Sequence, residues 1–324
     1  KESGVADIIK NVLIPLYNTY VFYNEHKTKY EKQYDTKMNL EAFGSDNIFD
    51  KWIHFKINTF KEKLFNDLDE YKLYNTTNLI TDFIENLNNQ FIKLNRERLK
   101  DKEGRDECEK SLSTLGKCIY DLSITLSSLL PYFCERLYFL IKADTSQTCE
   151  SVHLLSYDSF MINSLEYQSG FDSIDKLYEI IGLVRTLRGQ NLINYKMPIA
   201  DIIVCSDDPN IEQKLENIIE HLKVESNILN VSFRDISIMS NFAISPNRGA
   251  LGKDFKSVSK DIIKQISSIS ESILCESYKN ITIKCGENEY YLNETHFNVE
   301  RNNTTIENYN HLINGNNNLL VYIN

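Results

Sequence analysis

An apolar stripe through residues 76–100 constrains the fold more than any other feature of the sequence. Its members recur every three or four residues, which is the spacing of one face of an amphipathic α-helix. They are Ile80, Ile84, Leu87, Phe91 and Leu94. In a protein, most of the stability of such a helix comes from packing its apolar face. The stripe therefore predicts a long helix that packs along its whole length.

Three other segments in the first half of the chain show the same helical spacing of apolar residues. They are residues 1–30, 49–68 and 112–140. Proline lacks the amide N–H of a helix interior, so Pro15 should kink or restart the first of these helices, and Pro131 should kink the last. Four long amphipathic segments joined by short polar links predict a helical bundle over residues 1–150.

The pattern changes after a polar segment, residues 151–170, which is expected to be a linker. Residues 171–324 combine a helix that stops near Gly189 with short strands and helices, and this mixture predicts a small α+β domain. The predicted helices are 173–187, 210–222 and a third through residues 258–269. The predicted strands are 199–205, 228–233, 241–244, 281–284, 290–292 and 319–323. The Asn-rich residues 304–318 are expected to be a loop.

Length and composition are those of an ordinary globular protein, with 324 residues, 42% hydrophobic and 25% charged. No apolar run approaches the roughly 20 residues that span a bilayer, so no membrane partner is expected. The formal net charge of −10 argues against holding nucleic acid by overall electrostatics. Any contact with nucleic acid must therefore come from local basic patches.

Three short windows of this acidic chain are basic. Residues 91–105 carry six cations against three anions, residues 178–196 three against one, and residues 247–264 five against two. Within the first window, Lys93, Arg96 and Lys100 share one helical face, and Arg98 falls where the apolar stripe would continue. This predicts that the helix emerges from the bundle there. The alternative is a solvated helix end whose cations suit the helix dipole.

No catalytic or metal-binding pattern is visible in the sequence. The six histidines are scattered, the seven cysteines form no CxxC pair, and neither GxxxxGK[ST] nor GxSxG occurs. The cysteines are expected to be reduced and structural, as in a cytoplasmic protein. We therefore expect neither catalytic residues nor a metal site in this chain.

Several short runs together resemble the C-terminal half of isoleucyl-tRNA synthetases of the eukaryotic cytoplasmic type. The runs are VLIPLYNTYVF, NIFDKWIHFKINTF, FIKLNRERLK, SLLPYFCERLY, ESVHLLSY, VRTLRGQNLINYKMPI and LGKDFK. Together they span nearly the whole chain, and FIKLNRERLK with SVHLL is the most specific part. Two departures stand out, because Leu16 occupies a position where the family usually has Trp, and Glu97 one where relatives often carry Arg.

The resemblance implies the anticodon-binding helical bundle of a class I aminoacyl-tRNA synthetase, followed by the small α+β domain. It implies that this chain grips the anticodon stem-loop of isoleucine tRNA. The parent enzyme would use ATP and Mg to attach isoleucine to that tRNA in the cytoplasm, with other synthetases as candidate partners in a complex. The chain begins at Lys1 and contains neither HIGH nor KMSKS. We therefore expect a part of a longer protein that holds no cofactor and does not itself activate isoleucine.

The resemblance and the basic windows together predict ten tRNA contacts. Lys93, Arg96 and Lys100 are expected to bind phosphates, while Asn95 and Arg98 carry donors suited to unpaired bases. The second and third windows contribute Arg185, Arg188, Lys196, Lys253 and Lys256. For each of these residues the alternative is an exposed charge or a local salt bridge.

Two other readings of the whole chain stay open at this point. The valyl- and leucyl-tRNA synthetases share the bundle architecture but match these runs less well, and binding competition among the three tRNAs would separate them. A helical protein-interaction module, for example one that mediates synthetase assembly, would instead show a large exposed apolar patch and binding that is insensitive to salt.

Overall fold

A computed structural model describes residues 2–40, 45–156, 171–266, 268, 280–285, 288–303, 306–314 and 318–324 of the chain. The chain divides into two compact units, Lys1–Tyr178 and Glu179–Asn324. The division falls after Tyr178, somewhat later than the predicted start of the second domain at residue 171. Most of the predicted linker 151–170 lies outside the described residues.

The first unit is helical throughout its described part, which confirms the predicted bundle. Its helices are α1 Glu2–Ile8, α2 Ile14–Tyr34, α3 Ile48–Asp69, α4 Leu73–Glu85, α5 Arg96–Leu99, α6 Arg105–Thr125 and α7 Pro131–Ile141. The next helix, α8 Asp172–Gln190, begins in this unit. Two π-helical turns, Ile9–Leu13 and Asn86–Ile92, and two 3-10 turns, Lys142–Asp144 and Val152–Leu154, complete it.

The predicted apolar stripes form the core of this bundle. Buried side chains of the central stripe are Ile80, Ile84, Leu87 and Phe91. Phe60 of α3 and Phe83 of α4 stack with ring centroids 5.0 Å apart. Full burial of one such side chain contributes roughly 1.5–3 kcal/mol, so a continuous stripe outweighs the modest helix propensity of these segments.

The segment that was predicted as one helix over residues 76–100 is interrupted twice. It starts at Leu73, passes through the π-helical turn Asn86–Ile92, and is broken again at Asn95 before α5. The side chain of Asn95 donates to the carbonyl oxygen of Phe91 at 2.9 Å. Asparagine side chains compete in this way with the helical backbone pattern, which explains the second break.

The two prolines in the bundle lie in different settings. Pro15 follows the π-helical turn Ile9–Leu13, and the backbone stays helical through Leu13 and Ile14, so the helix changes its hydrogen-bond pattern at this proline without ending. Pro131 is the first residue of α7, where its missing N–H costs nothing because that group has no intrahelical acceptor. The single kinked helix predicted over residues 112–140 is therefore two separate helices.

In its described residues, the second unit combines helices with three small sheets, which confirms the predicted α+β class. Its helices after α8 are α9 Ile211–Leu215, α10 Ile219–Ser226, α11 Ile236–Met239, α12 Arg248–Phe255 and α13 Ser259–Ile266. Short 3-10 turns cover Glu216–Ile218, Lys256–Val258 and Glu294–His296. The strands are β1 Ile199–Ser206, β2 Ile228–Asp235, β3 Ser240–Pro246, β4 Asn280–Cys285, β5 Asn288–Asn293, β6 Phe297–Asn303, β7 Asn310–Ile313 and β8 Leu319–Ile323.

The largest sheet has the strand order β2-β1-β8-β7. Strand β1 runs parallel to β2 and antiparallel to β8, with Val204 opposite Phe233 on one side and Val321 on the other. The two remaining sheets are the antiparallel pairs β3–β6 and β4–β5. Two apolar clusters support these sheets. One comprises Ile203, Cys205, Ile236, Met239, Leu320 and Tyr322, and the other Leu251, Ile262, Ile266, Ile283, Leu292 and Phe297.

The prediction of a loop over residues 304–318 is wrong in part, because β7 lies within it. Leu312 of β7 pairs with Val321 of β8. Asn314 closes the connection, since its side-chain oxygen accepts from the backbone N–H groups of Asn318 and Leu319 at 3.0 Å each. Strand β6 was not predicted either.

A half-buried histidine in the bundle, His54, makes the free energy of unfolding depend on pH. Burial lowers the pKa of His54 to about 4; Asp121 and Asp50 act in the opposite direction, and Lys117 and Lys61 reinforce the decrease. In an unfolded chain a histidine has a pKa of about 6.5. Between about pH 6.5 and about pH 4, this histidine binds a proton in the unfolded state but not in the folded state. The free energy of unfolding therefore decreases as the pH falls through this range.

We expect His54→Gln to remove this dependence, because glutamine does not titrate in this range. The free energy of unfolding of the natural chain minus that of the variant should be constant above about pH 6.5. It should then decrease by about 3 kcal/mol on going down to about pH 4. Urea denaturation followed by circular dichroism at several pH values measures this difference. A difference that stays constant over the whole range would contradict the prediction.

Candidate nucleic-acid interface

The basic end of the central helical segment carries three of the predicted cations. Lys93 and Arg96 are exposed, and Lys100 is half-buried. The backbone turns at Asn95, and Arg96 then opens the short helix α5. Lys93 therefore lies before this turn, Arg96 and Lys100 lie after it, and the predicted sharing of one helical face stays a prediction.

Two residues of α2, His26 and Lys29, lie near Arg96 and Lys100, and no pattern in the sequence indicates this. Burial lowers the pKa of His26, Glu25 opposes that decrease, and Lys100, Lys29 and Arg96 lower the pKa further. Three cations therefore lie close enough to His26 to act on its imidazole. Residues in separate helices show no common spacing in sequence. We call Lys29, Arg96 and Lys100, together with His26, the first basic surface.

The turn that follows Lys100 is attached to α2 by side-chain hydrogen bonds. Gln33 Nε2 and Tyr34 Oη donate to Asp101 Oδ2 at 2.7 Å and 2.8 Å. Asp101 itself has a left-handed backbone with φ of 59°. Asparagine and aspartate adopt this conformation more readily than most residues, so the turn can reverse here with little strain. These bonds hold the two parts of the first basic surface together.

Arg98 lies under this surface in a cluster of buried polar groups. Its two terminal nitrogens contact Asp50 Oδ1 and Oδ2 at 3.0 Å and 2.8 Å. Nε donates to Glu107 Oε2 at 2.9 Å, and Nη2 lies 2.8 Å from the same oxygen. Nη1 also donates to Asn95 Oδ1 at 2.5 Å. Four hydrogen bonds and the additional contact of Nη2 with Glu107 thereby surround the guanidinium with acceptors.

Two of the predicted base contacts must be corrected for this reason. Arg98 is only 3% exposed and Asn95 only 1%, so neither presents its donors to solvent. The prediction that the helix emerges from the bundle at Arg98 is wrong. A cation on the apolar stripe is tolerated because Asp50 and Glu107 neutralise it inside the protein.

The cluster joins three elements of the bundle. Asp50 lies in the first turn of α3, Arg98 in α5 and Glu107 in the first turn of α6. Ser45 Oγ donates a further hydrogen bond of 2.5 Å to Asp50 Oδ2. Burial by itself lowers the pKa of Arg98, but the hydrogen bonds and charges of Asp50 and Glu107 outweigh burial and raise it. The guanidinium therefore stays charged.

The second predicted strip of cations, in the second unit, is not formed. Arg185 is half-buried and paired with Glu225, and Arg188 is completely buried. Lys196 is exposed. Arg188 donates only to backbone carbonyl oxygens, those of Asn194, Met197, Ser226 and Asn227, at 2.8–3.1 Å. It therefore shapes the protein, and the prediction that it presents its charge to RNA must be corrected.

The third predicted pair of cations is exposed. Lys253 lies near the end of α12, and Lys256 follows that helix. Between them, Asp254 Oδ2 lies 3.0 Å from Nε2 of the buried His296, whose Nδ1 accepts from the backbone N–H of Asn293 at 3.0 Å. This contact attaches the end of α12 to the turn before β6.

The described part of the chain lacks two further kinds of feature. Among those residues, no group of three or more His, Cys, Asp or Glu side chains is arranged to hold a metal ion. None of the described helices combines the length and the apolar character that crossing a membrane requires.

Comparison with known proteins agrees with the resemblance that the sequence shows. Residues 50–204 match the family model described as the anticodon-binding domain of tRNA ligase. The cytoplasmic isoleucine–tRNA ligase of Caenorhabditis elegans is 27% identical over 282 residues, which are 85% of this chain and 24% of that protein. A probable cytoplasmic isoleucine–tRNA ligase of Enterocytozoon bieneusi is 31% identical over 90% of this chain and 27% of its own length. The isoleucine–tRNA ligase of Clostridium tetani is 26% identical over 90% of this chain and 28% of its own.

These matches bear on the class first. Residues 50–204 match the anticodon-binding domain of the tRNA-ligase family, and this range contains Asp50, Arg98 and Glu107. Over most of its length the chain is also similar to isoleucine–tRNA ligases in particular, and the predicted resemblance is thereby confirmed. The chain spans about a quarter of the length of these relatives, between 24% and 28%.

We expect Arg98→Met to destabilise the first unit strongly. The substitution leaves Asp50, which is completely buried, without its cation. Removing one partner of a buried pair typically costs about 3–5 kcal/mol. Arg96→Met is the matched control, because Arg96 is an exposed arginine two residues away and should change stability by less than about 0.5 kcal/mol.

Urea denaturation of the two variants and of Asp50→Asn/Arg98→Met measures these effects. The double variant should recover part of the loss, because it removes the unpaired buried charge as well. Equal stabilities of the Arg98→Met and Arg96→Met variants would show that the cluster does not stabilise the bundle.

Proposed function

We propose that this chain binds the anticodon stem-loop of isoleucine tRNA as part of an isoleucine–tRNA ligase. The observation that carries the proposal is the first basic surface, which unites exposed cations from α2 and from the segment around Asn95 in an otherwise acidic chain. The segment around Asn95 lies within residues 50–204, which match the anticodon-binding family. Cations spaced along a fixed turn suit successive phosphates of an RNA backbone.

The remaining exposed cations of the prediction extend this proposal to the second unit. Lys196, Lys253 and Lys256 are exposed and suited to additional phosphate contacts. Arg185 is less suited, because it is already paired with Glu225. The second unit therefore adds separate contacts, and the first basic surface supplies the densest group of cations.

The activity of the whole enzyme follows from the names of the relatives. We infer that the parent protein attaches isoleucine to its tRNA with ATP and Mg, as an isoleucine–tRNA ligase. We also infer that it does so in the cytoplasm, because relatives such as those of Caenorhabditis elegans and Enterocytozoon bieneusi are named cytoplasmic. Competition between isoleucine, valine and leucine tRNAs for the chain tests this choice, and a preference for valine or leucine tRNA would overturn it. Assembly with other synthetases stays a prediction.

A salt titration of tRNA binding tests the first basic surface. We expect Lys29→Ala/Arg96→Ala to weaken the binding of isoleucine tRNA and to make the slope of log K against log salt shallower by about 1.4–1.8. Each phosphate contact that is lost reduces the number of counterions released on tRNA binding by roughly 0.7–0.9. Both side chains are exposed, so the fold should be preserved. Fluorescence anisotropy with labelled tRNA measures both quantities.

The charge-matched control is Lys10→Ala/Lys63→Ala, which also removes two exposed cations from the first unit. It should leave both the affinity and the slope close to those of the natural chain. If the two double variants behave alike, only the overall charge matters, and the first basic surface is not the binding site.

His26 offers a direct reporter of phosphate at this surface. Its pKa is lowered by burial and by Lys100, Lys29 and Arg96, against Glu25. A bound phosphate introduces negative charge beside the same imidazole, so the pKa of His26 should rise when tRNA binds. Histidine NMR signals followed over pH with and without tRNA measure this change, and His26→Gln assigns the signal. An unchanged pKa of His26 in the complex would place the RNA elsewhere.

A helical protein-interaction module is the second candidate, and one observation favours it. The N-terminal helical segment exposes large apolar side chains on its surface. They are Val5, Ile8, Ile9, Ile14, Tyr17 and Val21. A chain with this function would bind a protein partner with little dependence on salt and would bind tRNA no better than other acidic proteins do. The salt titration with tRNA therefore also separates the two candidates.

A further inference from the structure

The loop between α8 and β1, residues 191–198, exposes three large apolar side chains in the second unit. Leu192 is 93% exposed, Met197 61% and Tyr195 50%. Lys196 lies between two of them and is also exposed. Single exposed apolar residues are common on protein surfaces. Three within six residues of one loop are less common, and they indicate a surface that binds a ligand.

This loop is held in place by the buried Arg188. Nη1 of Arg188 donates to the carbonyl oxygens of Asn194 and Met197 at 3.1 Å and 2.9 Å. Nη2 donates to the carbonyl oxygens of Ser226 and Asn227 at 2.8 Å and 3.1 Å, at the end of α10. The guanidinium thereby ties the loop to the end of a neighbouring helix.

Further bonds fix the backbone on either side of Tyr195. Asn227 Nδ2 donates to the carbonyl oxygen of Tyr195 at 3.1 Å. Asn194 Oδ1 accepts from the backbone N–H of Lys196 at 2.9 Å. The guanidinium carbon of Arg188 also lies 5.7 Å from the centre of the Tyr195 ring, within cation–π distance. The exposed side chains are therefore presented by a loop with a defined shape.

Arg188 is completely buried, and its hydrogen bonds all go to carbonyl oxygens. This is an unusual way to hold a loop. Complete removal from solvent lowers the pKa of Arg188, with Tyr195 acting in the opposite direction. Desolvating a charge is costly unless the groups around it are well placed, and here the C-terminal carbonyls of α10 supply the negative ends of dipoles. Such a cost is consistent with a loop whose conformation matters for recognition.

The chemistry of the loop fits an unpaired stretch of RNA. Proteins bind single-stranded RNA by stacking bases on aromatic side chains while nearby cations contact the backbone. Tyr195 and Lys196 supply these two groups side by side. The loop also lies inside residues 50–204, which match the anticodon-binding family. An apolar protein partner would have less use for the lysine at the centre of the patch.

We propose that Tyr195 stacks on an unpaired base of the bound tRNA, with Lys196 on the adjacent phosphate and Arg188 as the positioning residue beneath them. This proposal rests on the proposed tRNA-binding function and assigns a base-contacting residue to it. Neither spacing nor charge in the sequence pointed to Tyr195, because a single tyrosine beside a lysine is common.

Binding of isoleucine tRNA to the full 324-residue chain tests the proposal. Tyr195→Ala should weaken binding about 5- to 150-fold, the range that one base–aromatic stack contributes. Tyr195→Phe should bind like the natural chain, because stacking needs the ring and not the hydroxyl. The salt slope should be unchanged in both variants, since neither removes a charge. Lys196→Ala should instead make the slope shallower by about 0.7–0.9.

Tyr291→Ala is the matched control, since Tyr291 is an exposed tyrosine of the same unit, in β5, at 74%. It should leave binding unchanged. Tyr195→Trp gives a second readout, because the single natural tryptophan, Trp52, is completely buried. Stacking should quench the fluorescence of the new tryptophan when tRNA binds.

Three outcomes overturn the proposal, and they are distinguishable. Binding that Tyr195→Ala leaves unchanged, with no quenching in Tyr195→Trp, removes the stacking role while tRNA binding by the chain stands. Equal weakening by Tyr195→Ala and Tyr291→Ala shows an unspecific effect. A natural chain that binds no tRNA at low salt removes the proposed function and this inference together.

Discussion

The contact between Arg98 and Asp50 is the interaction on which the basic end of the bundle depends. A buried ion pair is stabilising only when its hydrogen bonds are complete, because removing two charges from water costs several kcal/mol for each ion. Here the Asp50 carboxylate accepts from Nη1 and Nη2 of Arg98 at 3.0 Å and 2.8 Å, and Glu107 accepts from Nε at 2.9 Å. The pair fixes the turn on which Arg96 and Lys100 lie. A buried cation thus positions the exposed ones.

The same residue shows how far sequence reasoning reaches. The stripe over residues 76–100 correctly places Arg98 on the buried face, but an arginine at such a position has two explanations. Either the helix leaves the bundle at this residue, or acidic side chains of the bundle pair with the arginine. The deciding partners, Asp50 and Glu107, lie 48 and 9 residues away, and no local pattern connects them to Arg98. Apolar periodicity identifies the face of the helix that is buried. Only the tertiary contacts of Arg98 show what this residue does on that face.

The same distinction, between patterns that are local in sequence and contacts with distant residues, explains which other elements can be predicted. Apolar periodicity identifies the helices of the bundle because their faces are long and repeat. It misses β7, whose sequence Asn310–Ile313 carries little alternation and becomes a strand because the fully buried β8 pairs with it. His26 and Lys29 were missed for a similar reason, since the first basic surface combines cations from separate helices. Tyr195 is recognisable only once Arg188 is seen beneath it.

Arg98 and Arg188 are both buried, but different chemistry stabilises the two guanidinium groups. Arg98 lies against the side-chain carboxylates of Asp50 and Glu107, whereas Arg188 lies against backbone carbonyls, which carry only partial charges. A single substitution at Asp50 or Glu107 therefore removes an acceptor of Arg98. No side-chain substitution removes the acceptors of Arg188, because every residue type carries a backbone carbonyl.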